Sequence, residues 1–535
     1  MRFDKKNYLL FLCYLLTAFI VYYKSLAVYF LSDDLTQIRI MNDFGLAGIT
    51  HNFDIAFIRP LPYIFMAVIH TLFGHTSAIP YHAWNIIIHT LNAFLVYKLY
   101  KVWVKYYSPE TEKSEVFPMI AGLLFLVLPY QTEAVTWVAA TVDLMVTTFI
   151  LLTLIFFFNY KSENNRKKLY LSSFFFFLAL MCKESCLFVP ILIFGFSCVE
   201  YFPKQNYSKP FKIALLYLVW FPLYIFMRYY FLGELIGGYH EMHTSFKPLL
   251  IVYNAALYTA KFFAFYRILP NGIRDIFKII IHHRIILVSI IVLLFAMVFY
   301  FRTQLKNKLL NKNTLLLIFA FYCSLIPVIN LETSFIGDSQ SDRYGYVPAV
   351  FFILLLTYLL FEFFNKKVVL VLSAVLFVWF FMNVQSINNN WLAGSTIAEP
   401  IIKNLDPGKE TAYIFNLPDN FRGTYMLRTG LADGVSFIKE GNYTNKIKVV
   451  SWHPLQSAHD SISVMKVGDK IYQIDLLAEG ERFYFADKIF VHNPNKDIYS
   501  ILEHSNTHLL IEFKKLKFED KLYYYTSGKL IELER

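Results

Sequence analysis

Long apolar runs broken by short polar stretches fill the first 384 residues. A helix needs about 20 apolar residues to cross the hydrocarbon core of a bilayer. Eleven stretches fit, near 8–30, 78–100, 117–131, 141–160, 169–182, 185–202, 213–232, 284–301, 314–330, 347–364 and 368–384. The pattern predicts an all-α polytopic membrane protein of about eleven transmembrane helices. The first run is long for a leader and lacks a small-residue cleavage site, so it reads as an uncleaved anchor. The segment Pro248 to Tyr266 is amphipathic, with Lys261 beside Phe262 and Phe263. It predicts a helix lying in the outer interface.

The pattern changes near Asn388–Asn390. From there, short alternating runs separated by Gly, Asp and Asn predict strands, among them Lys446–Val450, Ser463–Val467, Lys470–Asp475, Arg482–Phe485 and Leu509–Phe513. The chain therefore divides into a membrane domain, 1–384, with outer loops 31–77 and 233–281, and a small mostly β outer domain, 385–535.

Composition agrees. Hydrophobic residues make up 57% and charged residues 17%, at a mean hydropathy of +0.45. Soluble domains carry roughly 25% charge, so a cytosolic enzyme and a disordered chain are excluded. The net charge of +11 does not signal nucleic acid, because Lys and Arg sit in short runs between apolar stretches, as topology determinants do. With the N-terminus in the cytoplasm, the inner segments hold 20 Lys and Arg and the outer ones 9. Eleven spans then place the C-terminal domain outside. Five cysteines, Cys13, Cys182, Cys186, Cys198 and Cys323, all lie in or beside apolar segments, where a thiol packs as a small apolar group.

Ionisable residues at the edge of a bilayer are functional candidates. The outer ends carry Asp33, Asp34, Arg59, Glu133, Asp143, Lys183, Glu184, Asp342 and Arg343, and the second span carries His82 and His89. Adjacent carboxylates beside an apolar wall suit a general base, and Asp33 with Asp34 also offers oxygen ligands to a divalent cation. Arg343, Lys183 and Arg59 are candidate phosphate ligands. Lys183 and Glu184 also read as a self-satisfied pair. His82, Asn85 and His89 share a helical face, and hydrogen bonding between helices is the plain reading for them.

In this order, Asp33-Asp34, Arg59-Pro60-Leu61, Tyr81-His82 with Asn85 and His89, Thr132-Glu133-Ala134-Val135 with Asp143, Lys183-Glu184, and Asp342-Arg343-Tyr344 with Pro348 resemble the GT-C glycosyltransferases. They are most similar to the membrane part of the O-mannosyltransferases that carry tetratricopeptide repeats, and to their bacterial relatives. The resemblance covers residues 1–384. It implies a polyprenyl-phosphate-linked sugar donor and catalysis on the periplasmic or lumenal face. The expected reaction is attack by an acceptor hydroxyl on a protein or glycan, and a single displacement would invert the anomeric carbon. It implies a first-loop Asp as base, Asp34 slightly preferred to Asp33, and Arg343, Lys183 and Arg59 on the donor phosphate. Glu133, Asp143, Glu184, His82, His89 and Asp342 would support the site. No cofactor is required by this chemistry, and a divalent cation is compatible with it. The acid of the family's Glu-Arg-Tyr is the shorter Asp342 here, and the repeat array is replaced by the β domain. A bacterial inner membrane is the expected location. A transporter or flippase for a lipid-linked saccharide and a non-catalytic scaffold are the alternatives.

Overall fold

The computed structural model describes residues 5–50, 57–107, 115–233, 247–265, 311–331, 339–408, 410–457, 462–477, 482–485 and 498–534, with isolated positions between them. Ten of the eleven expected spans coincide with helices. The eighth, 284–301, lies outside the described residues.

The first helix, α1 (Lys5–Tyr22), ends earlier than its apolar run. A tighter turn over Tyr23–Ala27 follows, and the chain then extends into α2 (Asp33–Phe44) and α3 (Pro60–Phe73). The 29-residue α4 (Ile79–Tyr107) precedes α5 (Val116–Val127) and the short α6 (Thr132–Thr136). Leu128 is extended ahead of Pro129, as the residue before a proline prefers, and the path bends there by 55°. The chain continues through α7 (Thr141–Glu163), α8 (Arg166–Leu180), α9 (Val189–Tyr201), α10 (Ser208–Leu218), α11 (Trp220–Leu232), α12 (Pro248–Phe263), α13 (Lys312–Leu325), α14 (Tyr346–Phe363) and α15 (Lys366–Asn404). Among the described residues, six helical stretches are long and apolar enough to cross a membrane, or seven if the bent pair counts as one.

Burial shows how these helices pack. Helix α7 is the centre, with almost every inward and outward residue covered, while α1 and α15 are peripheral. Their outer faces expose Leu9, Leu16 and Ile20, and Val371, Val375 and Val378. Apolar stripes of that length are stable only against lipid or another apolar surface. Polar groups gather at the two ends of the bundle. One end holds the Lys161–Glu200 ion pair, with Tyr106 donating to Glu200 at 2.6 Å, and the Lys101–Glu115 pair. These are the turns in which the sequence concentrates Lys. The opposite end holds the candidate site.

Helix α12 covers the expected amphipathic segment, and its polar side packs into the protein. Lys261 is buried, and its ammonium lies 2.7 Å from the Asp342 carboxylate. The exposed face of α12 carries Leu249, Val252 and Phe263 instead. A buried cation needs a buried counter-charge, and the pairing turns the polar face inward.

Helix α15 runs 39 residues, about 58 Å at the α-helical rise, so the polarity switch at Asn388–Asn390 falls inside a continuous helix. Asn388 accepts from Thr136 at 2.7 Å, and Asn389 accepts from Lys24 at 2.6 Å. The asparagines therefore dock α15 on the membrane domain rather than starting a loop. The C-terminal domain that follows has two sheets. In one, β1 (Ala412–Phe421) lies between β3 (Ile447–Leu455) and β9 (Lys521–Thr526), all three parallel. β2 (Thr424–Tyr425), β6 (Tyr484–Phe485) and β10 (Lys529–Glu532) add antiparallel edges. The second sheet is antiparallel, in the order β4 (Ile462–Gly468), β5 (Ile471–Leu476), β8 (His508–Phe513), β7 (Tyr499–His504). The expected strands fall on β3, β4, β5, β6 and β8. Helix α16 (Leu431–Ile438) follows β2 and packs on α2.

Candidate active site at one end of the bundle

The site begins at the turn between α1 and α2. Ser32 has φ of +52°, a backbone region in which a non-glycine residue is strained. Asp33 and Asp34 then open α2, where the helix N-terminus favours negative charge.

The two carboxylates diverge. Asp34 is buried, and its oxygens accept from Leu31 N–H at 3.0 Å and from Ala139 N–H at 2.7 Å. Burial pushes its carboxyl well above the usual range, opposed by those N–H groups and reinforced by the Asp33 charge. Asp34 thus stitches the first-loop turn to the segment between α6 and α7. Asp33 is partly exposed and accepts from the Thr429 hydroxyl at 2.6 Å.

The cations arrive on other elements. Arg343, in a tight turn before α14, is gripped by buried Glu133 of α6. The Glu133 carboxylate accepts from the Arg343 guanidinium at 2.5 Å and from its backbone N–H at 2.8 Å. The guanidinium carbon lies 4.7 Å from the ring centres of both Trp137 and Tyr344, and 5.4 Å from that of Tyr425. Lys183 donates to Asp143 at 2.5 Å, and its ammonium lies 5.4 Å from the same Tyr344 ring. Arg428 of the C-terminal domain lies 5.1 Å from the Tyr425 ring and pairs with buried Asp419 at 2.7 Å. Lys183, Tyr344, Arg343, Tyr425 and Arg428 therefore form a continuous ladder of cations and aromatic rings across both domains. Each cation is held by a carboxylate that is itself nearly inaccessible.

Lys183 and Glu184 do not face each other. The Glu184 carboxylate lies 3.1 Å from Arg228 and 3.9 Å from Arg59, and accepts from Tyr224 at 2.8 Å. The extended backbone of Lys183 sends the adjacent side chains apart.

The Asp pair and the ladder meet at Trp137. Its indole N–H donates to Leu31 C=O at 3.2 Å, and its ring lies 4.8 Å from that of Tyr425 and beneath Arg343. Asp33, Asp34, Glu133, Asp143, Lys183, Asp342 and Arg343 are thus joined at one end of the bundle, with Arg59 and Glu184 reached through the Lys183 turn. His82 and His89 lie deeper. His82 Nε2 bonds Val28 C=O at 2.9 Å. His89 bridges the Tyr346 hydroxyl at 2.6 Å and Leu126 C=O at 3.0 Å. His89 thus bonds between helices, and His82 bonds to the extended chain beyond the first helix. Among the described residues, no group of three or more His, Cys, Asp or Glu is placed to hold a metal ion.

Sequence reasoning passed over Arg228, Tyr425, Arg428 and Thr429. Arg228 carried a signal, because it is a lone charge within the apolar run 213–232. Tyr425, Arg428 and Thr429 lie in a polar region nearly 300 residues beyond Trp137, and nothing local marks them.

No family model matches the chain, and no curated protein matches it. Among solved structures, the chain is similar to the crystal structure of ArnT from Cupriavidus metallidurans bound to undecaprenyl phosphate. The identity is 11% and the TM-score 0.44, over 95% of this chain and 98% of that one. The crystal structure of the same protein in the apo state gives 11% and 0.43, over 94% and 97%.

Proposed function

We propose that this chain is a GT-C-type membrane glycosyltransferase that moves a sugar from a polyprenyl-phosphate donor to an acceptor hydroxyl on a protein or glycan. The observation that carries the reading is convergence. Acids and cations from segments far apart in sequence meet around Trp137, Tyr344 and Tyr425, next to a partly exposed carboxylate.

Asp33 is the base in this reading. Asp34 has both oxygens engaged by backbone N–H groups and acts by fixing the turn. The acceptor O–H gives its proton to Asp33, and the acceptor oxygen bonds to the anomeric carbon. The bond from that carbon to the phosphate oxygen breaks, and the electron pair leaves with the phosphate. Arg343, Lys183 and Arg59 stabilise the growing phosphate charge. Pre-set cations in a site shielded from water act on that charge more strongly than they would in bulk solvent. Buried carboxylates hold Arg343 and Lys183 in place before the donor arrives, which reduces reorganisation. The site faces the extracytoplasmic side, with the N-terminus and the Lys-rich turns in the cytoplasm.

A single displacement inverts the anomeric carbon. NMR of the product formed from a donor of known anomeric configuration should show inversion, and retention would rule out the mechanism. Removal of a general base typically costs 10²–10⁴-fold in rate. Asp33→Asn is expected to lose about that much turnover while still binding polyprenyl phosphate.

A further inference from the structure

The C-terminal domain reaches the base directly. Between β2 and α16, residues 426–430 lie across the turn that presents Asp33. The Ser32 N–H, on the strained residue, donates to Met426 C=O at 2.7 Å. The Thr429 hydroxyl donates to Asp33 at 2.6 Å and lies 2.8 Å from the Ser32 hydroxyl. A hydroxyl has one proton to give. Thr429 spends it on Asp33, so Ser32 must donate to Thr429, and the three groups form a directed chain. Gly430, at φ of +77°, presses against the backbone; a Cβ there would meet Ser32 C=O at 2.5 Å. Just beyond, Asp433 accepts from Thr36 at 2.6 Å and pairs with Arg39 at 2.6 Å. Every one of these contacts joins α2 or its turn to the C-terminal domain.

We infer that residues 426–430 form a strap that belongs to the transfer site, and that Thr429 is a positioning residue which fixes the Asp33 carboxylate. Asp34 and Trp137 hold the Leu31 side of this turn, while the strap alone bonds the Ser32 N–H and the Asp33 carboxylate among the described contacts; without it the Asp33 carboxylate gains rotamer freedom. The C-terminal domain is then a working part of the catalyst and not a separate binding module. This inference rests on the transferase reading, with Asp33 as its base.

The test uses the full chain in lipid vesicles. The donor is the mixture of polyprenyl-phosphate sugars extracted from the source cell's membranes, the proteins and glycans of the same cell envelope supply the acceptor hydroxyls, and release of free polyprenyl phosphate is followed by mass spectrometry. Thr429→Val keeps the side-chain shape and removes the hydroxyl; Thr429→Ser keeps the hydroxyl. The expected result is a fall in kcat of tenfold or more for Thr429→Val, with the donor KM within twofold of wild type and an unchanged melting temperature. Thr429→Ser should recover most of the rate. Amide exchange over residues 31–36 should speed up in Thr429→Val only. If Asp33→Asn is inactive while Thr429→Val turns over and exchanges as wild type does, the strap inference fails and the transferase reading stands. If wild type releases no polyprenyl phosphate, or Asp33→Asn is fully active, the transferase reading itself fails and the positioning role falls with it.

Discussion

Asp33 and Asp34 are adjacent in sequence, yet their carboxylates have different partners. The helical backbone that begins at Asp33 sends Asp34 toward Leu31 and Ala139, and leaves Asp33 against Thr429. A pair of acids was legible as chemistry, but the division between them was not. It depends on two backbone N–H groups, one more than 100 residues away. The same holds for Arg343. Its candidacy as a phosphate ligand was readable from its motif, while its grip by Glu133 and its stack on Tyr425 follow only from the fold. A second titratable group, His453, sits in the C-terminal domain with Nδ1 buried and unpartnered. Burial lowers its pKa from 6.5 to about 4, despite the Asp419 and Asp460 charges. Between those values the unfolded chain binds more protons than the folded one, so stability falls as pH drops from about 6.5 to about 4. The full effect is at most about 3 kcal/mol. Limited proteolysis of the C-terminal domain at pH 7 and pH 5 should show sharply faster cleavage at pH 5. His453→Gln should flatten that difference.

Among the elements, α12 shows where periodicity stops being enough. The apolar and polar faces of this helix are plain in the sequence, but the partner of its cation is not. The fold supplies Asp342 from a turn 81 residues on. Breaking a buried ion pair by removing one partner costs about 3–5 kcal/mol, whereas replacing both with apolar groups is often neutral. Lys261→Met and Asp342→Leu are therefore each expected to lower thermal stability strongly. The double variant should recover most of the loss. Additive losses would show that the pair is not coupled. Helix α15 makes a related point. Its three asparagines look like a boundary because they break an apolar run, but polar side chains do not end a helix. Two of them, Asn388 and Asn389, bond to Thr136 and Lys24. The other helices and the strands were readable because lipid-length apolar runs and period-two alternation follow directly from burial.

At the scale of the whole molecule, two polar ends are separated by an apolar bundle, and the C-terminal domain is bonded to one of them. The apolar runs sufficed to reveal the bundle. The joint between domains was not legible, because contacts such as Thr429 to Asp33 and Tyr425 to Arg343 link positions 396 and 82 residues apart without any local mark. The proposed transfer site thus draws on both parts of the chain. The most direct measurement follows the bond from sugar to phosphate in vesicles containing wild-type protein or Asp33→Asn, with both shown to bind polyprenyl phosphate. The expected result is cleavage with transfer to an acceptor by wild type, and a loss of about 10²–10⁴-fold in the variant. Passage of the intact lipid-linked sugar across the bilayer without cleavage, or equal turnover by both proteins, would contradict the transferase reading.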